Sequence, residues 1–82
     1  MNTERAILKG ELSDLKVRKM QLATACDANI QAVRNFLAGA NVRPIGDIDV
    51  EAALINLQQA AGQKKELTDI TDKITRIEKE LA

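Results

Sequence analysis

The chain has 82 residues, with twelve basic and twelve acidic side chains, so its formal net charge at neutral pH is zero. Balanced charge gives no global field to attract nucleic acid or an anionic membrane, and a chain of this length forms one domain at most. There is no histidine, which excludes the commonest general base and metal ligand. One proline, four glycines and one aromatic residue, Phe36, are typical of long helices rather than strands.

The cysteine content and the apolar runs indicate the compartment. Cys26 is the single cysteine, so we expect no intrachain disulfide and interpret this residue as a small core hydrophobe. The N-terminal residues carry charge with no long apolar run after them, and no stretch is long enough to span a bilayer. We therefore expect a cytoplasmic protein without membrane association.

We predict a first helix over residues 3–40, with Thr3 as its N-cap. Apolar side chains then recur at alternating four- and three-residue spacing, which indicates an amphipathic helix with one side facing a partner. Lys19 and Asn29 fill two positions of this row. Its apolar members are Leu8, Leu12, Leu15, Leu22, Cys26, Val33, Phe36 and Ala40.

A hinge is predicted at 41–47, because Pro44 interrupts helical hydrogen bonding there. Asp47 is the predicted N-cap of a second helix over 48–81. That helix ends in an unbroken three-four repeat typical of a coiled coil, formed by Leu67, Ile70, Ile74, Ile77 and Leu81. An upstream row, offset by one residue near Gly62, predicts a phase shift or bend and comprises Val50, Leu54, Leu57 and Ala61.

A short connection makes the two helices antiparallel neighbours, so the predicted fold is an all-α, coiled-coil-like helical hairpin forming a single domain over 1–82. Folding about Pro44 pairs residues whose numbers add to about 87. In that register four pairs have opposite signs: Lys9–Glu78, Glu11–Arg76, Asp14–Lys73 and Arg18–Asp69. Exposed pairs of this kind choose a register more than they stabilise a fold.

The apolar stripe widens near the hinge, beyond what one partner helix can cover. Such a surface usually belongs to an interface, and we predict a homodimer in which these halves form a four-helix bundle. Ile30, Leu37, Ile48 and Ile55 are the predicted interface residues. Two other interpretations stay open: the surface binds an unidentified protein, or its alanines simply favour helix on a solvated side.

The stretch 21–37 resembles the helix-turn-helix of phage repressors, with Ala23, Val33 and Phe36 at its packed positions. This favours an alternative function, a DNA-binding accessory protein that contacts DNA through Gln31, Arg34 and Asn35. Asp27 stands where that motif has glycine, and Arg34 is the single cation of the recognition segment. A continuous first helix would argue against this alternative, and a turn at 27–29 would support it.

No residue pattern points to catalysis. The carboxylate pairs Asp69/Asp72 and Glu78/Glu80 lie among basic residues and lack a histidine, which indicates a solvated face of ion pairs. We expect no catalytic residues, no bound metal and no cofactor. The main functional hypothesis is a non-enzymatic protein-interaction or assembly module.

Four segments resemble small uncharacterised helical proteins of Mu-like prophages. They are Glu4–Leu12, Val33–Leu37, the Pro44 hinge with Asp47-Ile48-Asp49, and Ile77–Leu81. The resemblance implies a phage-related context and a helical fold. It implies no activity, because those proteins have none assigned.

Overall fold

The protein is an antiparallel hairpin of two long helices. A computed structural model describes residues 2–39 and 42–82, with α1 at Asn2–Leu37, a short 3-10 helix at Ile45–Asp47 and α2 at Val50–Leu81. No strand occurs in these residues, so the predicted all-α hairpin is confirmed. The molecule is a rod of 65 × 16 × 14 Å with a radius of gyration of 18.6 Å, whereas a compact chain of this length has about 12 Å.

The first helix ends earlier than predicted. α1 stops at Leu37 rather than residue 40, because Gly39 adopts a left-handed backbone with φ of 76°. The amides of Val42 and Arg43 both donate to the Gly39 carbonyl, at 2.9 and 3.0 Å, which turns the chain back. Thr3 lies inside α1, not at its cap, and the predicted Ala40 and Asn41 positions fall outside the described residues.

The connection into α2 is more structured than a plain hinge. The Asp47 amide donates to the Pro44 carbonyl at 2.9 Å, closing the 3-10 turn, and Ile48 is then extended and buried. The helix begins at Val50, two residues later than predicted. Its N-cap is Asp49 rather than Asp47, with a side-chain oxygen that accepts from the Ala52 amide at 3.0 Å. The extended, buried Ile48 thus stands where the second helix was predicted to begin.

The α1 row is buried or half-buried at each apolar position described, from Leu8 to Phe36, and Lys19 alone of the row is exposed. Leu22 is the best-buried large side chain, at 3% exposure. It packs with Ile70 and Ile74, and Leu12, Leu15 and Leu67 pack around this cluster. On α2, the large apolar side chains of the seam, meaning the line along which the helices meet, lie in the half away from the hinge, whereas α1 keeps Val33 and Phe36 in the seam near the hinge.

The α2 seam differs from the prediction in the half near the hinge. The row through Val50, Leu54 and Leu57 is exposed, and smaller or polar residues take the seam instead. The three-four repeat runs without a phase shift at Gly62, and its members are Ala53, Asn56, Ala60, Gln63, Leu67, Ile70, Ile74, Ile77 and Leu81. Uninterrupted spacing outweighs side-chain size here, because a shifted row would need a break in the helix.

A polar pair lies inside this seam. The Asn29 amide donates to the Gln63 side-chain oxygen at 2.8 Å, and both residues are half-buried. One turn away, the Cys26 thiol donates to the Ala60 carbonyl at 3.7 Å. A satisfied amide pair fixes a coiled-coil register, because displacement would leave amide groups facing apolar side chains.

The observed register is shifted by about two residues from the prediction. The residue numbers of the two seam contacts add to 86 for Cys26–Ala60 and to 92 for Asn29–Gln63. Those of the two ion pairs add to 84 for Arg18–Glu66 and to 94 for Lys16–Glu78. The average sum for facing residues is therefore near 89. The four predicted pairs are wrong as ion pairs, since none comes within 4.0 Å in the described residues. Exposed charges adapt to a register that the seam sets.

We predict that the Asn29–Gln63 pair selects the register at some cost in stability. Asn29→Leu alone should lower the free energy of unfolding by about 1–3 kcal/mol, because Gln63 loses its partner inside the seam. Asn29→Leu with Gln63→Leu should recover that loss or exceed the wild type. Chemical denaturation of the four variants measures the coupling. Equal effects of the single and double variants would contradict it.

The register predicts a second double-mutant cycle. Arg18 and Glu66 lie 3.1 Å apart and are about half exposed, so solvent screens the pair and Glu66→Lys should cost about 0.2–1 kcal/mol. Adding Arg18→Glu should restore stability. Asp69→Lys is the control, because Asp69 would be the partner of Arg18 in the register with a sum of 87. Coupling of Arg18 to Asp69 instead of Glu66 would show that the observed register is wrong.

Candidate interaction face

Near the hinge, α2 carries its small side chains toward α1 and its large aliphatic side chains outward. Ala53 and Ala60 are buried in the seam at 4% and 5% exposure, while Leu54 and Leu57 are 54% and 45% exposed. Small seam residues let the two backbones approach closely but bury little apolar area. In this half, the α2 side of the seam therefore buries little apolar area.

Five aliphatic residues near the hinge lie on one side of the hairpin, whereas other exposed apolar side chains, including Val42, Ile45 and Ile55, do not belong to this set. Lys16 and Glu78 pair at 3.9 Å and so define this side. Residues seven apart lie on nearly the same side of a coiled-coil helix. On α1, Ile30 and Leu37 lie 14 and 21 residues after Lys16 and therefore share its side. On α2, Leu57 and Val50 lie 21 and 28 residues before Glu78 and share its side in the same way. Leu54 lies between these last two. We call the set Ile30, Leu37, Val50, Leu54 and Leu57 the hinge face.

Ile30 is half-buried, and the other four members are between 41% and 54% exposed. The same side becomes polar away from the hinge. Continuing in steps of seven, α1 presents Lys9 and Lys16, and α2 presents Lys64, Thr71 and Glu78. The neighbouring row on α2 holds Thr68 and Thr75, whose hydroxyls donate to carbonyls of their own helix at 3.1 and 3.0 Å. The hinge face is thus concentrated near the hinge, and on α1 Ala23 and the exposed Met20 continue it before this side becomes polar.

Two of the four predicted interface residues, Ile30 and Leu37, lie on the hinge face. Ile48 was wrongly placed among exposed residues, since it is 8% exposed and packs within its own chain. Ile55 is 56% exposed but lies on the opposite side, which the Arg18–Glu66 pair defines. Sequence reasoning missed Val50, Leu54 and Leu57 because it assigned them to the seam.

The helix-turn-helix interpretation of 21–37 is wrong, because α1 runs through Asp27 as continuous helix. The proposed DNA contacts Gln31, Arg34 and Asn35 are exposed on a straight helix with no turn to set a recognition segment apart. Asp27 and Arg34 lie seven residues apart along the outer edge of the hinge face. Neither has an ion-pair partner within 4.0 Å in the part of the chain that the structure describes.

The carboxylates behave as surface groups. All members of the pairs Asp69/Asp72 and Glu78/Glu80 are exposed, and Glu78 faces Lys16. Within residues 2–39 and 42–82, no cluster of three or more potential metal-ligating side chains occurs. Neither described helix is apolar enough over a sufficient length to cross a bilayer.

Comparison of the chain with protein-family models, with curated proteins and with solved structures finds no match in any of the three. The resemblance to Mu-like prophage proteins therefore stays a prediction.

We predict that the same substitution has different effects at the two isoleucines of the connector, Ile48 and Ile45. Ile48→Val should lower the free energy of unfolding by about 0.5–1.5 kcal/mol, since Ile48 is buried in its own chain. Ile45→Val should change it by less than about 0.5 kcal/mol, because Ile45 is 77% exposed. Thermal unfolding followed by circular dichroism, at low and high protein concentration, measures both. An Ile48 effect confined to high concentration would assign that residue to an intermolecular contact.

Proposed function

We propose that this protein is a non-enzymatic assembly module that binds a second copy of itself through the hinge face. The observation that carries the proposal is the inverted arrangement of α2 near the hinge, with alanines in the seam and leucines outside. Soluble proteins seldom leave a contiguous apolar patch uncovered. A second hairpin laid on this patch would convert the hinge halves into a four-helix bundle, in which both sides of each α2 are packed.

The total surface of the chain supports association. Its accessible area is 6141 Å², whereas a compact monomer of 9.0 kDa exposes about 4,900 Å². The excess of about 1,300 Å² exceeds the roughly 800 Å² that each partner buries in a standard interface. The excess follows from the rod shape, and it is large enough to accommodate an interface of that size.

Self-association accounts for the distribution of side chains better than binding to an unrelated protein does. The hinge face lies on one side and in one half of the rod, and both helices contribute residues to it. Two-fold symmetry needs a patch that complements itself, and a flat aliphatic patch satisfies this requirement. Apolar burial also predicts an association that depends weakly on salt.

Light scattering and sedimentation across the micromolar range test the proposal. We expect a dimer mass that falls on dilution, together with a melting temperature that rises with concentration, because association stabilises the folded state by mass action. A monomer at high micromolar concentration, with melting unchanged on dilution, would refute self-association. In that case the hinge face would belong to a different protein partner.

Leu54 and Ile55 form a matched pair for mutation. They are neighbours in α2 with nearly equal exposure, 54% and 56%, but they lie on opposite sides of the hairpin. Leu54→Lys should weaken dimerisation at least about tenfold, because about 1 kcal/mol of burial is lost twice in a symmetric dimer. Ile55→Lys adds the same charge at similar helix propensity and should leave the dimer intact. Equal effects of both substitutions on the dissociation constant would show that the hinge face is not the contact.

A further inference from the structure

We infer that the two copies lie side by side with their hinges at the same end, and that Arg34 and Asp27 of each α1 contact opposite charges on α2 of the other copy. This inference rests on the proposed self-association and specifies its geometry. Two hairpins that use the same patch are related by a two-fold axis. An axis along the rods stacks α1 on α2 of the second copy, whereas an axis across the rods stacks α1 on α1.

The charges beside the hinge face are complementary between the two helices. In this half of the rod α1 carries Asp27 and Arg34, and α2 carries Glu51, Lys64 and Lys65. All five side chains are exposed, and none lies within 4.0 Å of an opposite charge in the described residues. Toward the hinge, the sign changes from negative to positive along α1 and from positive to negative along α2. Stacking α1 on α2 therefore brings opposite signs together.

Symmetry fixes the level of these contacts. A rotation about an axis parallel to the rods shifts neither copy along them, so α1 meets the second α2 at the same level as its own. In the hairpin, facing residues have numbers that add to about 89. Arg34 therefore faces Leu54 of the second copy, and Asp27 faces Ala61, which lies seven residues after Leu54 and shares its side.

Both positions offer a partner one turn away. The aliphatic stem of Arg34 covers Leu54 of the second copy, while its guanidinium reaches Glu51, three residues earlier on the same helix. Ala61 is small and leaves Asp27 accessible to Lys64 and Lys65, which follow three and four residues later. The two-fold axis repeats each contact, so the apolar patch is bordered by opposite charges on both edges.

An axis across the rods would bring like charges together. The hinge face is centred near residue 34 of α1 and residue 54 of α2. A transverse axis through this centre places Arg34 of one copy on Arg34 of the second, and like-charge contacts of this kind disfavour an interface. The charges therefore select the axis along the rods.

The side that carries the hinge face also accommodates a neighbour beyond it. On α2 this side continues through Thr68 and Thr75, whose hydroxyls donate to carbonyls of their own helix at 3.1 and 3.0 Å. A second hairpin can cover them without removing those hydrogen bonds. On α1 the exposed Met20 lies at the level of Thr68, so apolar contact extends past the hinge face.

Charge reversal tests the pairing in solution. Arg34→Glu and Glu51→Lys should each weaken the homodimer roughly tenfold, because each creates two like-charge contacts across the interface. An equimolar mixture of the two variants should associate nearly as tightly as the wild type, since every position 34 then faces a position 51 of opposite charge. Within each variant chain these two positions carry the same sign, so rescue in the mixture reports contact between chains.

Two further sets of variants control for effects on the helices themselves. Asp27→Lys, mixed with the double variant Lys64→Glu and Lys65→Glu, should show the same rescue at positions away from the helix ends. Asn35→Glu adds a negative charge next to Arg34 in sequence but about 100° further round the helix, away from the hinge face. It should leave the dissociation constant unchanged.

Solution X-ray scattering on the wild type, at a concentration where light scattering reports dimer, completes the test. The parallel dimer keeps a maximum dimension close to the 65 Å of one rod. A transverse axis near residue 34 would leave about 48 Å of α1 on either side and give a dimer of about 100 Å. A dimension near 65 Å with rescue in both mixtures supports the inference. A dimension of about 100 Å, or a failure of the mixtures to restore association, overturns it while leaving self-association in place. A monomeric mass at all concentrations overturns both.

Discussion

The hydrogen bond between Asn29 and Gln63 is the constraint on which the rest of the architecture depends. It lies inside the seam of two otherwise amphipathic helices, at 2.8 Å, in a stretch where the neighbouring seam residues are small. Sliding one helix by a heptad in one direction would bring Gln63 opposite Leu22, and in the other it would bring Asn29 opposite Ile70. Either displacement would strand an amide against an aliphatic side chain. We therefore expect the bond to select the register, and the register determines which large side chains remain outside.

The half of the hairpin away from the hinge was predictable from the sequence because size and spacing agree there. Leu67, Ile70 and Ile74 are large and recur at coiled-coil spacing, so the row that looks apolar is also the row that packs. Near the hinge these two criteria conflict. Val50, Leu54 and Leu57 form a convincing apolar row, yet the continuous spacing selects Ala53, Asn56 and Ala60 for the seam. The hydrophobicity of single residues does not show which row packs in the seam, because the continuous spacing of the uninterrupted helix determines it.

The predictions of the helix cap in the connector and of the ion pairs were wrong for other physical reasons. Asp47 and Asp49 are equally good capping residues in sequence, and the choice depends on the burial of Ile48, a tertiary effect. The predicted ion pairs matched in sign but not in register, because exposed charges contribute too little to choose among nearby alignments. The interaction surface near the hinge stays a prediction. The Lys16–Glu78 and Arg18–Glu66 pairs distinguish the two flanks of the hairpin, which sequence reasoning did not separate.

The position of the apolar cluster also shapes how the chain reaches its fold. Leu22 and Ile70, like Arg18 and Glu66, are separated by 48 positions along the chain. Closing a loop of nearly fifty residues costs about 1.4 kcal/mol more in entropy than closing a loop of ten residues. Beside the turn, shorter loops are closed by the buried side chains of Val33 and Ile48 and by the small seam residue Ala53. The largest cluster of the hairpin is therefore also the one whose formation costs the most chain entropy.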